Sequence, residues 1–101
     1  MTTQWPRADP VLDPAHLLAR LAAMPALFPI PLERTRTAAR DFAEEYFAHV
    51  PSTWQDRLPF HYAARLLEVA HGFFRRQVPD WQSKIATLLE EARASLAGRV
   101  W

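Results

Sequence analysis

The sequence predicts an all-α fold, a small antiparallel bundle of about four helices. Apolar residues recur with a period near 3.6 in four separate segments. Glycine occurs only twice, whereas nine prolines punctuate the chain between apolar stretches. That is the punctuation of proline-stopped helices, and no segment alternates apolar and polar residues for long enough to make a strand.

The elements follow in order. The opening "MTTQWPRADPVL", residues 1–12, combines turn formers with no periodicity and is expected to be a mobile N-terminal segment. Residues 13–101 are expected to form one helical-bundle domain, because 101 residues suit a single modest core. Asp13 before Pro14 is a helix start, since Asp can cap free N–H groups and proline at the first helical position loses no hydrogen bond. The first helix is expected over 14–24, with Leu17, Leu18, Leu21 and Met24 inward. "PALFPIP", residues 25–31, holds three prolines but also Leu27, Phe28 and Ile30, and reads as a proline-rich apolar strap between helices 1 and 2, pressed on the core.

The second helix is expected over 32–49. Leu32, Thr35, Ala39, Phe42, Ala43, Tyr46 and Val50 make its inner stripe, opposite Arg34, Arg40, Asp41, Glu44 and Glu45. Ser52 and Gln55 then stand in capping-box register, with Asp56 a second candidate cap. A third helix over 57–77 places Pro59 in its first turn, where the missing N–H costs little. A fourth over 79–97 stops at Gly98 and carries Trp81, Ile85, Leu88, Leu89, Ala92 and Leu96 on one stripe. Short connections make successive helices antiparallel neighbours.

Composition narrows the function classes. Cysteine is absent, so disulfides, thiolate metal sites and thiol nucleophiles are excluded. The sequence offers neither a charged-then-apolar leader nor an apolar run near 18 residues, so a cytoplasmic protein without a membrane span is expected. Twelve basic and eleven acidic residues nearly cancel, leaving no global field for nucleic acid. Arg34, Arg36 and Arg40, with Arg75 and Arg76 elsewhere, form the densest basic set, but Asp41, Glu44 and Glu45 interrupt it. Arginine dominates the basic residues and asparagine is missing, which fits GC-rich coding DNA of a bacterial source.

The third helix holds the one suggestive constellation. At about 100° per residue, Arg57, His61, Arg65, Glu68, Gly72 and Arg75 share a sector, with His71 at its border. Tyr62, Ala63, Leu66, Leu67, Val69, Ala70, Phe73 and Phe74 fill the other half, so the sector reads first as the side facing water, and this helix as the centre of the bundle. Glu68-Val-Ala-His71 nevertheless resembles the Glu-x-x-His element of ferritin-like bundles, whose i,i+3 spacing aims both ligands one way. Glu45 and His49 could supply a partial second pair, but no full second element exists. Separately, Arg65-x5-His71-Gly72-Phe73 resembles the Arg-x(4–6)-His signature of HEPN domains, some of which are metal-independent ribonucleases acting as dimers. That resemblance implies phosphate binding by Arg65 and general acid–base work by His71. It departs from the commonest form of the signature in having Leu66, not a polar residue, after the arginine.

Twelve aromatic residues, four of them Trp, are many for so small a core. Phe28, Trp81 and Trp101 are the expected partner-binding residues. The sequence therefore points to a protein-interaction or assembly module, expected to be a homodimer, with no cofactor, no metal and no catalysis of its own. The alternative is a HEPN-like ribonuclease, or its inactive regulatory relative, using Arg65 and His71.

Overall fold

The computed structural model describes residues 10–98. The described residues form four helices, α1 (Leu12–Leu27), α2 (Leu32–Phe47), α3 (Thr53–Arg75) and α4 (Trp81–Leu96), and no strand. The all-α bundle expected from periodicity is the fold. No helix of the described residues is long and apolar enough to cross a membrane. Trp5 and Trp101 lie outside the described residues, as does most of the 1–12 segment expected to be mobile. Val11, at that segment's end, is fully buried in the core.

Helix α1 and the start of α3 extend beyond the sequence reading, whereas α2, the end of α3 and both ends of α4 fall short of it by one or two residues. α1 starts at Leu12, which puts Asp13 and Pro14 inside the first turn; the acidic group favours the helix N-terminus, and proline gives up an N–H that is unpaired there anyway. The same helix continues through Pro25 to Leu27, so part of the 25–31 stretch completes α1 and residues 28–31 alone make the connection. Pro25 withdraws one hydrogen bond near the helix end, and Phe28, held extended ahead of Pro29, closes the helix. α3 begins at Thr53, four residues before the expected start, so Pro59 is a helix-interior residue. The Ser52 side chain makes no capping hydrogen bond.

At its other end α3 closes in a Schellman motif. Val78 N–H reaches the Phe73 carbonyl at 3.1 Å and Gln77 N–H the Phe74 carbonyl at 3.1 Å. Gln77 takes the left-handed conformation at φ 52° without being glycine, and its side-chain amide donates to the Phe74 carbonyl at 2.7 Å. Gly98, at φ 94°, ends α4 in the manner expected, since a residue with a Cβ rarely adopts that backbone.

The packing is asymmetric. α3 packs along both α1 and α4, whereas α2 stands chiefly on α1. The core is rich in alanine, with Ala15, Ala19, Ala23, Ala39, Ala63, Ala70 and Ala92 buried around Leu18, Leu58, Tyr62, Leu66, Phe73 and Leu88. Small side chains at the contacts let helix backbones approach closely, which leaves less interior volume for large ones. Several residues expected inside are therefore outside. Leu17 is exposed on α1, Leu32 on α2, Leu67 and Phe74 on α3, and Leu89 and Leu96 on α4. On α3 the reason is the neighbour count: with only α1 and α4 alongside, part of its wide apolar arc has nothing to cover it.

Candidate functional site

The polar sector of α3 carries the residues singled out by sequence. Arg65 donates through Nη1 to Glu68 Oε1, one turn along the same helix, while its Nε is buried with no hydrogen-bond partner. His71 is six positions after Arg65, which at about 100° per residue turns the two side chains about 120° apart. Arg65 is half-exposed and His71 exposed. A groove between α1 and α3 runs past Glu68, Gly72 and Arg76 on one wall and past His16, Arg20 and Met24 on the other, and neither Arg65 nor His71 is among its lining residues.

The four residues considered for metal are divided between two helices. Just past the end of α2, His49 Nδ1 donates to the Glu45 backbone carbonyl at 2.9 Å and stands 3.6 Å from the Glu45 carboxylate. On α3, Glu68 is held by Arg65. Among the described residues no three His, Asp or Glu side chains come together as a metal site.

A polar knot that sequence reasoning missed lies deeper. Tyr62 on α3 donates its hydroxyl to Glu91 Oε2 on α4 at 3.1 Å, and Arg36 on α2 donates through Nη2 to Glu91 Oε1 at 3.1 Å. Burial pushes the Tyr62 hydroxyl well above the ordinary tyrosine range, and the Glu91 charge and hydrogen bond push it further the same way. The three side chains border a cavity of about 50 Å³ walled by Leu18, Ala22, Leu32 and Leu88. That is room for a few waters and not for a ligand of ordinary size. Each polar group already has a partner, so the knot ties three helices together and leaves no polar group aimed at a substrate.

The largest unsatisfied feature is apolar. Phe60, Leu67 and Phe74 on α3 are 64%, 51% and 49% exposed, and Leu89 and Leu96 on α4 are 45% and 56% exposed. Phe60, Leu67 and Phe74 are seven residues apart, as are Leu89 and Leu96, so each set forms a single stripe drifting only about 20° per step. The two stripes share one side of the molecule. Ser95 Oγ bonds the Pro59 carbonyl at 3.3 Å and the Phe74 and Trp81 rings meet edge-on at 5.1 Å, which pins α3 and α4 antiparallel along their length. On α3, the opposite flank from Leu67 carries Val69, Gly72 and Arg76, which face α1. On α4, Glu91, which reaches α2, is about 160° around the helix from Leu89. Both stripes thus point away from α1 and α2.

Of the partner-binding residues expected from sequence, Phe28 is 54% exposed on the connection between α1 and α2. Trp81 is half-buried against the core and the Phe74 ring, at one end of the apolar face. Sequence reasoning overlooked Phe60 and assigned Leu67, Phe74, Leu89 and Leu96 to the core; the seven-residue spacing was the signal that marks them as a separate seam. Comparison of the chain with protein-family models, with curated proteins and with solved structures finds no match.

Proposed function

We propose that the chain is a small assembly module that self-associates through the outer face of α3 and α4 and performs no chemistry of its own. The observation that supports this reading is the continuous apolar face of Phe60, Leu67, Phe74, Leu89 and Leu96, all about half-exposed or more. At roughly 200 Å² for a fully exposed large apolar side chain, these five leave roughly 500 Å² of surface uncovered, as large as the biggest patches that lone soluble proteins carry. Arg65 and His71 act in this reading as surface residues, one paired with Glu68 and the other in solvent. Light scattering on the full chain at micromolar concentration tests it. The expected mass is twice that of one chain; a single-chain mass throughout that range contradicts the proposal.

A further inference from the structure

The α3 stripe reads the same in both directions. Phe60 and Phe74 stand seven residues either side of Leu67. A stripe with this internal symmetry matches itself when a second copy is turned end for end. We infer that a second copy of the chain docks with its α3 antiparallel to this one, the twofold axis passing beside Leu67. This inference rests on the self-association reading and specifies its geometry.

The pairing sets Leu67 against Leu67 of the other copy and Phe60 against Phe74 of the other copy, twice over by symmetry. A closed twofold contact uses one patch on both copies and leaves no apolar remainder to recruit a third. α4 lies along one flank of α3, so the same rotation sets the two α4 helices on the same flank of the α3 pair, their stripes facing each other across the axis. Leu89 falls near the level of Leu67, close to the axis, and Leu96 near the level of Phe60, where it covers the outer edge of the Phe60–Phe74 contact. Glu90 and Arg93, paired with each other at 2.6 Å, form a charged rim beyond the leucines. The large apolar side chains alone supply roughly 500 Å² per copy, more than half of the roughly 800 Å² per partner of an ordinary stable interface.

The sequence contains no cysteine, so one introduced thiol reports a single position. Under mild oxidation, Leu67→Cys is expected to form a disulfide-linked dimer rapidly, because a residue beside a twofold axis meets its own copy. Phe60→Cys and Phe74→Cys proteins are each expected to stay unlinked alone and to link to each other when mixed. Ala38→Cys, on the exposed side of α2, is the control expected to stay unlinked. Circular dichroism of each variant checks that the helices remain. A native protein of dimer mass whose Leu67→Cys variant stays unlinked, with no link in the Phe60→Cys and Phe74→Cys mixture, overturns this geometry while the self-association reading stands. A native protein of monomer mass overturns both.

Discussion

Arg36 and Glu91 are 55 positions apart in the chain and meet at 3.1 Å, with Tyr62 bound to the other oxygen of the same carboxylate. One side chain of α4 thereby fixes the positions of α2 and α3. Glu91 is only 18% exposed, so its charge depends on these two donors in place of water. Glu91→Ala leaves the buried tyrosine hydroxyl without an acceptor and is expected to cost about 1–3 kcal/mol. Tyr62→Phe, which removes the hydroxyl and keeps the ring, is expected to cost less, about 1 kcal/mol. Urea unfolding of the two variants gives the comparison, and equal midpoints for wild type and Glu91→Ala count against the role assigned to the knot.

The same knot predicts an alkaline limit. The Tyr62 hydroxyl titrates far higher in the folded chain than in the unfolded one, where tyrosine ionises near pH 10. A raised native pKa on an acidic group means that the folded state holds the proton more tightly. The resulting stability is fully present below about pH 10 and is lost as the pH rises from there, when the unfolded state alone releases its proton. Melting temperatures measured on either side of pH 10 should therefore fall more steeply for the wild type than for Tyr62→Phe. Parallel profiles for the two proteins would remove Tyr62 as the cause.

Leu66 and Leu67 are adjacent in sequence and opposite in role. Leu66 is fully buried, and Leu66→Ala is expected to lose about 2–5 kcal/mol at any protein concentration. Leu67 is half-exposed in the single chain, so Leu67→Ala should act within about 0.5 kcal/mol on the isolated chain. Its larger effect is on assembly, and appears as a loss of the rise in melting temperature with protein concentration that a native dimer shows. Phe73 and Phe74 should divide in the same way. Thermal melts over a hundredfold concentration range separate the two classes, and a Leu67→Ala loss as large and concentration-independent as that of Leu66→Ala would return Leu67 to the core.

Arg65→Ala and His71→Ala are expected to leave the fold unchanged, and Arg65→Ala the native mass as well. Arg65 gives up one exposed ion pair with Glu68, a contact that contributes little in water. Neither variant should differ from wild type when incubated with single-stranded or structured RNA, with or without divalent metal. RNA cleavage by the wild type that disappears in both variants would instead support the HEPN-like alternative.

The helices were legible in the sequence because periodicity, prolines and Gly98 all act locally. Boundaries were less so: Pro25 read as a stop and Pro59 as a first-turn residue, yet Pro25 is carried in the last turn of α1 and Pro59 lies deeper inside α3, which starts four residues earlier than expected. The helical wheel placed Leu18, Ala39, Leu66, Phe73, Leu88 and Ala92 inside, where they are buried, but could not tell which part of a wide apolar arc lacks a neighbour. That depends on α2 standing on α1, which strips one neighbour from α3 and turns Leu67 and Phe74 outward. The Arg36–Glu91–Tyr62 knot was invisible for a similar reason, since no local spacing links residues on three helices. The seven-residue recurrence of Phe60, Leu67 and Phe74 was legible, and its meaning emerged only once the neighbours of α3 were known.

In the proposed assembly the outer face of α3 and α4 is the interface between two copies. Leu67→Glu combined with Leu89→Glu tests it most directly, because both side chains are half-exposed and a carboxylate there is tolerated by a single chain and not by a buried contact. Light scattering on wild type and the double variant at the same micromolar concentration, with helicity followed in parallel, is the measurement. A two-chain mass for wild type and a one-chain mass for the variant at equal helicity are expected; a wild type already at one-chain mass, or a variant that keeps the two-chain mass, rules out this interface.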